Sequence, residues 1–174
     1  RMGITQAGAV GVAQQLAHLE AALAAGLRLV QIREPQLAPD TRVRFAREVV
    51  ARCHVAGALA VVNGDAELAR TLGADGVHLP AQHLMNLAAR PDLEWVGASC
   101  HTRAELERAA ALGLDYAVLG AVQATPTHPE RTPLGWRGFT ELAAGLPLPV
   151  FALGGLGLHA LETARAAGAH GIEI

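Results

Sequence analysis

The sequence predicts an α/β protein, a single domain over residues 1–174. Its class is the (β/α)8 TIM barrel, parallel and eight-stranded, with the last helix missing from this chain. Three observations carry that expectation. First, one phrase recurs, in which a helical stretch is followed by glycine and then by an apolar run. Ala25-Gly26 precedes LRLVQIR, Ala56-Gly57 precedes ALAVVN, Leu72-Gly73 precedes ADGVHL, Leu112-Gly113 precedes LDYAVLG and Ala167-Gly168 precedes AHGIEI. Glycine just past a helix supplies a left-handed residue, after which the chain turns directly into a strand. Second, Trp95–Ser99 and Pro149–Leu153 are apolar runs after proline-containing turns, and Met2–Thr5 makes an eighth strand. Third, the chain is 51% hydrophobic but only 3% aromatic, the palette of alanine-rich helices packed on a buried parallel sheet. Short turns from helix to strand favour parallel, right-handed crossovers. A doubly wound open sheet is the alternative that periodicity leaves open.

Between the strands, helices are expected at about Val12–Ala25, Thr41–Ala56, Ala66–Leu72, Arg103–Leu112, Gly138–Ala144 and Leu158–Ala167. The second has Asp40 available as its N-cap and an apolar stripe of Val43, Ala46, Val49 and Val50. The fourth starts after Thr102 with Glu105 three residues on, the pattern of a capping box.

A net charge of −2, with no lysine in the chain, gives no footprint for nucleic acid or a membrane surface. The apolar runs are too short to span a bilayer. Cys53 and Cys100 lie far apart without metal-ligand spacing, so both read as free thiols in a reducing cytoplasm. The start on Arg1-Met2, and a last residue inside an apolar run, read as a piece of a longer protein.

In a barrel, polar residues at successive strand ends converge on one mouth. Here they are Gln6, Gln31 with Arg33, Asn63, His78, Ser99 with His101, and Thr125 to His128, with Gly154-Gly155 after the seventh strand. Asp115–Trp136 joins a buried strand to a long polar loop with three prolines, the kind of segment on which barrels carry chemistry. One fixed cation, several neutral hydrogen-bonders and a glycine turn form a set suited to a phosphate. Each feature also has a plainer reading. Gln31 and Arg33 alternate with Ile32, and the pair could fill the interior as readily as hold a ligand. His78 reads as a core or rim histidine and His101 as a solvated one, and Ser99 has no evident base partner. No CxxC, HExxH, GxSxG or P-loop pattern occurs.

The runs QIRE, VVNGD, LGADGVHL, GASCHT, LDYAVLGAVQATPTHP and VFALGGL, in this order and spacing, resemble the thiamin phosphate synthase and thiazole tautomerase superfamily. The resemblance covers nearly the whole chain and implies a (β/α)8 barrel. It also implies a reaction joining an aminopyrimidine pyrophosphate to a thiazole phosphate with Mg²⁺ as cofactor. Carried over, it implies pyrimidine and pyrophosphate contacts at Gln31 and Arg33, polar contacts at Asn63, Ser99, Thr125 and Thr127, and a thiazole-phosphate turn at Gly154-Gly155. Departures come at the charged positions. Pro35 and His128 stand where the family has lysine, and Gly64 and His83 stand where it has Mg²⁺ aspartates, with Asp65 one place late. Ala121 stands where the tautomerases have histidine.

The expected ligand is a small phosphorylated heterocycle, with no nucleic acid and no membrane as partner, and a homodimer is compatible with this reading. His128 is expected to handle any proton transfer and Ser99 to contact the heterocycle. Mg²⁺ is expected to bind weakly, and only together with a pyrophosphate. The loop TPTHPERTPLGW resembles barrels fused behind a Nudix hydrolase domain, which implies a covalently attached Nudix partner. Three readings follow: a thiamin phosphate synthase-like transferase, a non-catalytic module sensing a thiamin phosphate, and a structural barrel without ligand.

Overall fold

The structure, a computed structural model, describes residues 1–124 and 132–174. Two compact units divide the chain: Arg1–His78 with Leu93–Trp95, and Leu79–Asp92 with Val96–Ile174. The first contains β1 (Gly3–Ile4), α1 (Ala7–Val10), α2 (Val12–Ala24), β2 (Leu29–Ile32), α3 (Pro39–Val55), β3 (Leu59–Asn63) and α4 (Ala66–Leu72), and leads into β4 (Gly76–Leu79). Its strands pair in chain order and all in parallel. The second contains α5 (Ala81–Asn86), β5 (Trp95–Cys100), α6 (Arg103–Ala111), β6 (Tyr116–Gly120), α7 (Gly135–Ala143), β7 (Val150–Leu153), a 3-10 turn at Leu158–Ala160 running into α8 (Leu161–Ala166), and β8 (Gly171–Ile172). Its strands are again parallel and in order. Eight parallel strands in chain order, alternating with helices, are the (β/α)8-class arrangement that the sequence predicts.

The five helix–glycine–strand phrases behave as expected. Gly26, Gly57, Gly73, Gly113 and Gly168 all have positive φ, between 63° and 91°. In two of these phrases an aspartate follows, and it does further work at the strand start. The Asp75 carboxylate accepts the Ala60 N–H of β3 at 2.7 Å and meets His54 Nε2 at 3.1 Å. The Asp115 carboxylate accepts the Val96 N–H of β5 at 2.7 Å and the Arg90 guanidinium at 2.6 Å.

Two expectations need correcting. Asp40 is not the N-cap of α3: the cap is Ala38, Pro39 is the first helical residue, and Asp40 sits within the first turn. Proline's fixed φ and missing N–H suit that position, so the helix starts ahead of Asp40. The aspartate instead faces the positive end of the helix. Helices α1 and α5 are absent from the sequence reading. They have only four and six residues, no side-chain cap, and no room for an apolar period. By contrast, the Thr102–Glu105 capping box forms as expected.

The core of the first unit is aliphatic, with Val30 and Ile32 of β2 packed among Leu19, Leu23 and the buried face of α3. On that face Phe45, Ala46, Val49, Val50 and Cys53 are buried. In the second unit Tyr116 and Phe151 meet edge to face, with centroids 5.9 Å apart.

Candidate functional site

Position 33 is one residue past the end of β2, where strand pairing stops and a side chain can reach solvent. Arg33 is exposed, whereas Gln31, inside the strand, is only 2% exposed. The pair thus separates into one interior residue and one accessible cation. The backbone around Arg33 is held on both sides. Its N–H donates to Thr5 Oγ1 at 3.1 Å, and the Thr5 N–H donates to the Gln31 carbonyl at 3.0 Å. Next in the chain, Glu34 is 5% exposed and accepts the Ala7 and Gly8 N–H groups at 2.6 and 2.8 Å. A buried carboxylate is tolerable when two N–H donors satisfy it, so the start of α1 is laced to the residue after Arg33.

Arg33 opens onto a cavity of about 160 Å³, which Asn63, Gly64 and Asp65 line from the end of β3 and Arg42 lines from α3. Asn63 is half-buried and pairs in register with His78. His78 is fully buried; burial, with the positive charge of Arg33 adding to it, lowers its pKa to about 3. It is therefore a neutral core imidazole, as the plainer reading of it held. Among the described residues no carboxylate pairs with the guanidinium of Arg33 or Arg42.

The donor set can be tested against Mg²⁺, which prefers hard oxygen ligands. Gly64 has no side chain, and its φ of 74° lies where a side chain is strained. Its N–H donates to the His78 carbonyl at 2.8 Å. Asp65 caps α4, its carboxylate accepting the Leu68 N–H at 2.8 Å. His83 is an exposed nitrogen donor on α5, in the other unit. These residues do not fit Mg²⁺.

In the second unit, Ser99 is half-buried on β5, in register with Val118. Gly154 and Gly155 follow β7 with φ of 104° and 65°. A Cβ on Gly154 would lie 2.6 Å from Ala121 Cβ, and one on Gly155 would lie 2.7 Å from the Ala124 carbonyl oxygen. The segment after β6 is bonded to this turn, Val122 N–H to the Leu153 carbonyl at 2.7 Å and Gln123 N–H to the Gly154 carbonyl at 3.1 Å. Close packing alone therefore demands glycine at both positions. Thr125, Thr127 and His128 lie outside the described residues. Gln6 flanks α1, its N–H bonded to Gln15 Oε1 at 2.9 Å, and His101 is exposed, 3.5 Å from Glu105. Cys53 and Cys100 are buried and unpaired, and burial pushes both thiols up to about 12. They are not nucleophiles.

The sequence reading missed Thr5, Glu34 and Arg42. Glu34 stood in view as the residue after Gln31-Ile32-Arg33, but its burial against an unexpected helix had no local signal. Arg42 looks like any solvated helix residue until the tertiary structure turns it toward the end of β3.

Eight parallel strands alternating with helices, with polar side chains at strand ends, place the chain in the (β/α)8 class. Within that class it belongs to the thiamine monophosphate synthase family (TMP-TENI), which matches residues 2–174. It is 38% identical over 159 residues to the thiamine-phosphate synthase of Prochlorococcus marinus (strain MIT 9303), covering 90% of this chain and 45% of that protein. It is 38% identical over 161 residues to the thiamine biosynthesis bifunctional protein ThiM/ThiE of Symbiobacterium thermophilum, covering 90% of this chain and 33% of that protein. The chain thus spans less than half the length of these curated relatives. A thiamine phosphate pyrophosphorylase from Pyrococcus furiosus has the same fold, with a TM-score of 0.82 at 22% identity over 99% of this chain and 83% of that one.

Proposed function

We propose that this chain is a thiamin phosphate synthase-like domain of thiamin biosynthesis that binds, and joins, an aminopyrimidine pyrophosphate and a thiazole phosphate. The observation that carries this reading is Arg33: an exposed guanidinium without a carboxylate partner among the described residues, fixed at the end of β2 and sharing a cavity with Asn63. In the reaction the thiazole nitrogen forms a C–N bond to the pyrimidine methylene carbon. The C–O bond to pyrophosphate breaks, and the leaving group departs with the electron pair. Arg33 would hold that developing anion with two parallel N–H bonds. Gln31 and Asn63 would serve the pyrimidine end. Ser99, Thr125, Thr127 and the Gly154-Gly155 turn would serve the heterocycle and the thiazole phosphate, and His128 would carry any proton. The two buried, unpaired thiols support a reducing cytoplasm as its place. Among the described residues no helix is long and apolar enough to cross a membrane.

A second reading has a specific observation behind it. Asp65, one place after the position where the resemblance expects a Mg²⁺ aspartate, is engaged as a helix cap. A module that binds the phosphate ligand without turning it over, attached to a Nudix domain, accommodates that loss. The bifunctional relative supports a barrel working beside a second domain, and the loop resemblance supplies the Nudix identity. Incubating the chain with both substrates and assaying thiamin phosphate separates the two. Product that disappears in Arg33→Ala supports the synthase. Calorimetric binding without product moves the assignment to the sensor, and no binding of either substrate overturns both.

A further inference from the structure

We infer that the cavity at the ends of β2 and β3 binds a diphosphate without a divalent cation, Arg42 supplying a second positive charge. This rests on the reading that Arg33 meets a phosphate. In a metal-dependent site, carboxylates hold the ion and the ion neutralises the diphosphate. Here the side-chain donors for such an ion are reduced: Gly64 offers no side chain, and one oxygen of Asp65 is bonded to the Leu68 N–H. A cation is also missing where the resemblance expects lysine, since Pro35 lines the cavity instead. Arg42, in the first turns of α3, opens onto the same space. Two guanidiniums thus line a small concave site with an amide, Asn63, beside them.

The same lining includes two carboxylates, Glu34 and Asp65, each turned to backbone N–H groups rather than to an arginine. They leave both guanidiniums for an incoming anion. Guanidinium matches this task, because it stays charged at all working pH values and presents paired donors to phosphate oxygens. Ammonium is not an option in a chain that lacks lysine.

The test uses the whole chain and inorganic pyrophosphate as probe, titrated by calorimetry in EDTA and again with excess Mg²⁺. The expected result is binding in EDTA that Mg²⁺ improves by no more than about threefold. Arg42→Ala is expected to weaken it roughly tenfold or more, and Arg42→Lys to recover part of the loss, as a charge without the fork geometry should. Thermal melts of both variants check that they remain folded, which a surface substitution on α3 should allow. Binding that appears only with Mg²⁺, or Arg42→Ala within about twofold of wild type, overturns the inference while leaving the Arg33 reading in place. No pyrophosphate binding under either condition, with Arg33→Ala indistinguishable from wild type, overturns both.

Discussion

Lowering the pH from about 7 to about 5 should destabilise this protein through one buried group, His78. Its imidazole is 0% exposed, and its pKa falls from 6.5 to about 3 through burial first and the positive charge of Arg33 second. Between those values the unfolded chain binds a proton that the folded chain refuses. Stability is therefore complete above the unfolded value and declines as pH falls through 6.5 toward 3. The loss follows the logarithm of the ratio of protonated populations, at about 1.4 kcal/mol per pH unit once the unfolded imidazole is mostly charged. Integrated from about pH 7 to about pH 5, it comes to about 2 kcal/mol, a large share of a typical domain's stability. Urea unfolding at both pH values, for wild type and for His78→Gln, isolates the term, because every other titrating group is common to both proteins. Glutamine keeps a hydrogen-bonding end but cannot charge. The variant should lose about 2 kcal/mol less than wild type on acidification, whatever its stability at neutral pH. Arg33→Ala should recover a smaller part, since its charge is the lesser cause. Equal acid losses in wild type and His78→Gln would refute the reasoning.

Three further outcomes are expected. With their pKa values near 12, Cys53 and Cys100 should react with an aromatic disulfide reagent at about pH 8 at least roughly a thousandfold more slowly in the native protein than in urea. Native reactivity close to the unfolded rate would remove the buried-thiol assignment. Glu34→Gln should cost about 1–3 kcal/mol in urea unfolding, because an amide turns a donor toward one of the two N–H groups that the carboxylate satisfied. It should also weaken pyrophosphate binding, since Arg33 loses one of its flanking ties, and a neutral outcome in both assays would discard the lacing argument. Gly154→Ala should cost more than about 2 kcal/mol, from a φ of 104° combined with a clash on Ala121, as measured by thermal or urea unfolding. Wild-type stability in that variant would mean that the turn relaxes freely.

What the sequence revealed divides by the range of the forces involved. Strands β2, β3, β4, β6 and β8 were legible because each follows a glycine whose left-handed backbone ends a helix, a constraint written in adjacent residues. Arg33 and Asn63 were legible as site candidates because a polar residue at the end of an apolar run has nowhere else to go. Asp40 misled because Pro39 competes for the same helix start and wins. Glu34 and Arg42 were illegible for a different reason. Their roles depend on which N–H groups and which cavity the tertiary fold brings to them, and residues near in sequence carry no trace of either. The glycine pair after β7 was legible as glycine, but the sequence could not show that the segment 121–124 presses on it.

The aspartates at the strand starts have a bearing on how such a chain can change over time. Asp75 and Asp115 each pin the N–H of the second residue of the preceding strand, and Asp75 does so at the opposite end of β3 from Asn63. Strand register is thus clasped at the starts, while the polar candidates Arg33 and Asn63 lie at the finishes of β2 and β3. A lineage can then exchange lysine for Pro35, or aspartate for Gly64 and His83, without disturbing the clasps that set the register. Foldability and chemistry become separately heritable, and a barrel of this kind can keep its architecture while its reaction, or its need for a metal, drifts.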